Sequence, residues 1–237
     1  MIVGYDSCKS KGGMRFVITA TYNDKYSKFY SEKFKLKNDT NNVGPIGDML
    51  YHCLQNFKSK NNIFPQRVII FRSGTSEYEK KLYNLEINQI LEMESNLKLN
   101  IKFTYLHVNK KTTLKFFEST TDKENRTSYC NPSSGLIVDS GITNPDKYEF
   151  YIQPQFVAFN CGTATPVHYE VLYDSIELET EELQKLCFYL CFYYWNWDGP
   201  VRLPAPLKFA ETNNAFVSKT DNEGVTHPNL VNSPYFI

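Results

Sequence analysis

The feature that most constrains this chain is a regular switching between two periods. The run Val68-Ile69-Ile70-Phe71 is short, apolar and mostly β-branched, and it ends abruptly in Arg72-Ser73-Gly74. Ahead of it, Ile46, Met49, Leu50, Cys53, Leu54 and Phe57 fall at i, i+3, i+4, i+7, i+8 and i+11, the stripe of a helix packed on a sheet. Behind it, a polar stretch opens a second helix that runs to about Met93, and Asn100–Asn109 reads as the next strand. A helix between two strands of one sheet is the βαβ unit of a mixed α/β layer fold. In such a fold the tip of a strand is where a working residue is expected, and here the tip carries Ser73.

The remaining segments extend the same pattern. Ile2–Asp6, Met14–Asn23 and Lys25–Leu36 read as strands, with a turn at Gly12-Gly13 between the first two. Pro45 suits the first turn of the helix over 43–60. Glu118–Gly135 is polar and rich in turn formers, and reads as loop; strands follow at Leu136–Asp139, Tyr148–Phe159 and His168–Asp174. Thr180 is the expected N-cap of a helix with Glu181 and Glu182 in its first turn and the stripe Leu183, Leu186, Cys187, Leu190, Cys191, Tyr194. Pro200, Pro204 and Pro206 punctuate its exit before a last helical piece around Leu207–Val217. Trp195 and Trp197, at a helix end before these prolines, are expected to pack in the core rather than stack on bases. No internal repeat is visible, and residues 1–237 read as one domain.

Composition excludes several classes. A hydrophobic fraction of 41% and an aromatic fraction of 15% rule out a disordered chain. Lys+Arg and Asp+Glu number 26 each, so attraction to a polyanion must come from local patches. No apolar run approaches the roughly 20 residues that span a bilayer, and the opening Met1–Asp6 has no basic n-region or cleavage site, so no membrane partner is expected. The six cysteines include no CxxC pair; Cys187 and Cys191 read as small buried hydrophobes, and reduced thiols suit an intracellular, cytoplasmic or nuclear, protein.

Several phrases stand in a telling order: MIVGYD, PQRVIIFRSG, VNKKTTLKFF, NPSSGLIVDSGITNP, GTATPVHYEVLYD, LCFYYWNWDGPVRLPAP and the terminal PYFI. In that order and at that spacing the chain resembles the Piwi domain of Argonaute proteins, the Piwi clade more than the Ago clade. The resemblance implies a ribonuclease H-like α/β fold, a mixed sheet with helices on both faces. It also implies that the chain is a Piwi-domain fragment lacking the MID and PAZ domains that precede it in the family.

Members of the family that cut RNA hold two divalent ions with clustered carboxylates plus a histidine or further Asp. Two cations about 4 Å apart must be neutralised by oxygens before they can activate water and steady a leaving oxygen. Carried over residue by residue, the first aspartate is present as Asp6. Ser73 takes the second position, and a neutral hydroxyl is a poor metal ligand beside a carboxylate. The family's mobile glutamate falls on Asn41, with Asp39 two residues away, and the fourth position falls on Glu211. Asp139 is expected to be structural. The site is therefore expected to be degenerate, with Asp6 and Glu211 its remaining acids and Asp6 a weak metal ligand. No cofactor is expected for binding, and Mg²⁺ only for residual cleavage.

The resemblance places guide-binding roles on Lys110, Lys111 and Lys115, which can meet successive phosphates. It places further backbone contacts on His168, with Thr163 and Thr165 in the loop before it, and on Arg202. The tail is expected to dock through Tyr235 and Phe236, bringing the Ile237 carboxylate toward a 5′-phosphate pocket. The expected function is binding of a small guide RNA and recognition of complementary target RNA in gene silencing, without slicing. The expected partners are those RNAs, a MID domain and silencing effector proteins. The alternatives are a Mg²⁺-dependent slicer using Asp6, Glu211 and Asp39, and a protein-interaction module that has lost RNA binding.

Overall fold

A computed structural model describes residues 1–10, 12–37, 43–74, 80–158, 161–220 and 226–237. The elements in chain order are strands β1 (Ile2–Ser10), β2 (Gly13–Thr21) and β3 (Phe29–Lys37), helix α1 (Ile46–Asn61), strand β4 (Arg67–Ser73) and helix α2 (Lys80–Leu97). They continue as β5 (Lys102–Asn109), the hairpin β6 (Glu118–Thr121) and β7 (Thr127–Cys130), β8 (Leu136–Val138), β9 (Glu149–Gln153) and β10 (Val167–Asp174). Helices α3 (Thr180–Leu190) and α4 (Ala205–Thr220) complete the order.

Eight strands form one sheet in the order β3-β2-β1-β4-β5-β10-β9-β8. The centre is parallel: β1 pairs β4 with Tyr5 opposite Arg72, and β4 pairs β5 with Arg72 opposite His107. The flanking pairs are antiparallel. Three neighbouring strands thus finish on one side of the sheet, where crevices for ligands form in open α/β folds.

Side chains alternate across a strand, and here the alternation fills two cores. Val3, Tyr5, Val68, Ile70, Phe103 and Tyr105 face α1 and α2, packing on Leu50, Leu54 and Tyr83. Ile2, Ile69, Phe71, Leu106 and Val108 face the opposite way, onto α3 and α4. On this second face Gly4 lies directly under the start of α4. A Cβ there would sit 2.3 Å from the Pro206 carbonyl and the Leu207 nitrogen, so the helix rests on bare strand backbone.

Local chemistry moves several expected boundaries. The strand read from Lys25 starts at Phe29, because the Asn23 carboxamide oxygen accepts from the Ser27 and Lys28 amides at 3.0 and 2.8 Å and holds that stretch in a turn. Glu118–Gly135 is not all loop: Thr120 and Ser128 hydroxyls join across the β6–β7 ladder at 2.7 Å. Glu179, not Thr180, is the N-cap of α3, and it caps through no side-chain hydrogen bond. Trp195 and Trp197 are 52% and 62% exposed, which overturns their expected core packing; Trp195 touches the core edge-on, 5.8 Å from Phe29 and from Phe209. Cys187 and Cys191 are buried as expected. No helix among the described residues is long and apolar enough to cross a membrane.

Candidate functional site

The period-2 rule builds the site. Ile2, Gly4 and Asp6 share one face of β1, Ile69, Phe71 and Ser73 share it on β4, and Val108 is followed two residues later by Lys110 at the end of β5. Asp6, Ser73 and Lys110 therefore meet at the tips of adjacent strands. They line a cleft of about 340 Å³ together with Cys8, Lys111, Leu203, Glu211 and Asn214.

Asp6 is nearly buried, at 8% exposure. Ser73 Oγ donates to its Oδ1, and Asn214 Nδ2 donates to its Oδ2 at 2.7 Å. Asn214 is itself fixed: its Oδ1 accepts from Cys8 Sγ at 3.1 Å and its carbonyl accepts from the buried Arg15 Nη1 at 3.0 Å. Arg15 also reaches Ser218 and Ser10, pinning the far half of α4 to the sheet. Both partners of Asp6 are neutral, so neither cancels its charge.

Glu211 lines the same cleft one helical turn before Asn214, yet its carboxylate goes elsewhere. Lys110 Nζ pairs with Oε1 and Lys208 Nζ with Oε2 at 3.0 Å. Burial lowers the pKa of both ammonium groups; at Lys110 the neighbouring Lys208 lowers it further and Asp6 opposes the shift. Ser73 is held from behind by a buried pair on the other face of the sheet. Arg72 Nε donates to Glu86 at 3.0 and 3.2 Å, and Arg72 Nη1 donates to the Ser73 carbonyl at 2.6 Å.

These donors do not suit a two-ion cage. One carboxylate, one hydroxyl, one carboxamide and one lysine-paired glutamate supply too few negative oxygens for two divalent cations. Among the described residues, no three His, Cys, Asp or Glu side chains converge as metal ligands. Asn41 and Asp39 lie outside the described residues.

The expected guide contacts separate into two groups. Lys111 and Lys115 are exposed, and Lys115 Nζ donates to Thr165 Oγ1. Arg202 Nη2 donates to the Lys110 carbonyl at 2.6 Å and lies within 3.4 Å of the Thr165 carbonyl, tying the lysine-bearing segment to the loop that carries exposed Thr163. His168 is not brought to the cleft. It pairs across the ladder with Asn109, on the opposite face from Val167 and Tyr169, and its Nε2 meets Glu149 at 3.0 Å. The tail docks as expected: Phe236 is buried against Phe209 and Tyr235 reaches Thr226 at 3.1 Å, while Ile237 is 42% exposed. Asp139 accepts from Gln184 at 2.9 Å, in keeping with a structural role.

Sequence reading missed Asn214 and Lys208. Lys208 lies two residues after the quoted LCFYYWNWDGPVRLPAP phrase, but nothing in a linear pattern shows that it turns toward Glu211. Asn213-Asn214 is the available signal for the other, a polar pair in a helix that is otherwise apolar on its sheet side.

Comparisons with known proteins agree with this architecture. A family model described as Piwi domain matches residues 1–222. The Piwi-like protein Ago3 of Bombyx mori is 33% identical over 218 residues, which is 89% of this chain and 23% of that protein. The crystal structure of Drosophila Piwi superposes on 100% of this chain and 32% of its own with a TM-score of 0.81 at 24% identity. That of Kluyveromyces polysporus Argonaute with a guide RNA gives 0.82 at 21% identity, over 100% and 30%. The chain thus spans about a quarter of the length of the curated relatives it matches, and the ribonuclease H-like expectation for the fold stands.

Proposed function

Because the chain belongs to the Piwi domain family, we propose that it binds a small guide RNA and presents it to complementary RNA in gene silencing, without cutting the target. What carries the second half of this reading is the company Asp6 keeps. Its oxygens take hydrogen bonds from Ser73 and Asn214, and Glu211, the other acid among the described residues of the cleft, is paired with Lys110 and Lys208. Cleavage by this family's route needs carboxylates to neutralise two cations, and this cleft offers a hydroxyl, a carboxamide and ammonium groups instead. Binding draws support from the exposed Lys111 and Lys115 beside the cleft, whose charges can meet a phosphate backbone. In this reading a MID domain supplies the rest of the guide-end pocket, silencing effectors act downstream, and Mg²⁺ is not needed for binding.

The test has two arms. Lys111→Glu with Lys115→Glu should lower affinity for a short single-stranded RNA by about an order of magnitude or more and flatten its salt dependence. Unchanged affinity would favour a protein-interaction module instead. With guide and matched target in Mg²⁺ or Mn²⁺, the target should stay intact. A cut opposite the middle of the guide would overturn the non-cutting half and leave the binding half standing.

A further inference from the structure

Glu211 holds two ammonium groups that come from different parts of the chain. Lys110 leaves the end of β5, and Lys208 stands one turn earlier than Glu211 on α4. The three side chains keep 37%, 32% and 25% of their surface exposed, so solvent and a ligand can reach them. Lys110 and Glu211 line both the Asp6 cleft and an adjoining hollow of about 250 Å³, which Lys208, Gln155 and Arg202 line as well. Arg202 adds a third cation there, with its Nε buried and unpartnered. Burial lowers the pKa of Lys110, Lys208 and Arg202 alike, and at Lys110 the neighbouring Lys208 and Arg202 lower it further.

A cluster of this kind suits an anion, and a carboxylate of its own chain already fills it. We propose that Glu211 is a resident competitor for a phosphodiester oxygen: it closes the Lys110–Lys208 pair, and a strand's backbone phosphate binds there by displacing it. The inference rests on the RNA-binding reading above and adds a regulator to the same site. A carboxylate and a phosphodiester each carry one negative charge, so the exchange keeps the cluster's balance. The released carboxylate is left facing the incoming strand, which weakens binding. Glu211 therefore sets how tightly the cleft grips a strand and filters out isolated weak phosphate contacts.

The experiment titrates a fluorescent oligouridine RNA into the wild-type chain, Glu211→Gln, Glu211→Gln with Lys208→Gln, and Glu181→Gln over a series of KCl concentrations. Glu181 pairs with Lys185 on the surface of α3 and controls for the loss of one negative charge elsewhere. Glu211→Gln should bind roughly 5-fold to 10-fold tighter and steepen the log–log salt slope by up to about 0.7, the counterion release of one phosphate on a single strand, which the freed carboxylate offsets in the wild type. Glu181→Gln should change affinity less than about twofold, the scale of a screened surface charge. The gain should vanish in the double variant. Glu211→Ala replaces the glutamine variant should that one fail to fold. A gain no larger than that of Glu181→Gln, or one that survives loss of Lys208, overturns the inference. If the wild type binds and the Lys111, Lys115 variant does not, an inert Glu211→Gln sinks this inference alone. If neither the wild type nor Glu211→Gln binds RNA, both fall together.

Discussion

Asp6 and Glu86 are carboxylates on opposite faces of the same sheet, and the chain handles them in opposite ways. Glu86 has no exposed surface. Arg72 neutralises it, the Tyr105 hydroxyl donates to it, and the guanidinium lies 5.0 Å from the Tyr5 ring. Burial alone would push the Arg72 pKa down, but Glu86 and the Tyr105 and Tyr5 phenols outweigh it and hold the guanidinium firmly charged. Asp6 is nearly as buried, yet its partners are a hydroxyl and a carboxamide, and its cleft opens outward. One acid is balanced from within and serves the fold. The other takes its hydrogen bonds from neutral groups and acts across the cleft on Lys110 and Lys208. The two are linked through Ser73, whose carbonyl is held by Arg72 and whose hydroxyl is held by Asp6.

The largest effect that would test this contrast is on stability. Glu86→Gln strands a buried guanidinium and should destabilise the chain by about 3–5 kcal/mol in urea unfolding. Asp6→Asn leaves no buried charge unpaired and should cost about 1 kcal/mol, the scale of a hydrogen bond weakened rather than abolished. If the two variants unfold at the same urea concentration, the contrast is wrong. A finer test is Ser73→Asp, which sets a second carboxylate against Asp6. Like-charge repulsion should lower Tm without divalent ions, and Mg²⁺ should restore about 1 kcal/mol at a few times its Kd. The same Mg²⁺ should leave Glu86→Gln unmoved. Recovery in both variants would mean that the ion acts on the chain at large.

The strands that carry Asp6 and Ser73 were legible because each ends a short apolar run, and period 2 then assigns a face to every residue. Their neighbourhood was legible through the quoted phrases and not through periodicity. Asn214 was not, for a geometric reason: a helical stripe shows which side of α4 meets the sheet but not which turn stands over Asp6. Glu211 was legible through the resemblance, as the fourth position of the family's site, whereas its capture by Lys110 depends on a contact across about a hundred residues of chain. The exposed tryptophans mislead because aromatic content signals burial on average, and a bend after α3 carries them outward. The β6–β7 ladder lacks any apolar alternation, since both of its faces are wet.

Gly4 lets the start of α4 rest directly on the backbone of β1. Within its next two turns the same helix delivers Glu211 and Asn214 to the cleft and Lys208 to the hollow beside it. Position 4 therefore works as a datum surface: a single methyl group there would act as a shim, shifting three side chains that it never touches. Refitting this cleft for a different chemistry is accordingly a matter of re-lettering one helix, provided the seat beneath it stays bare.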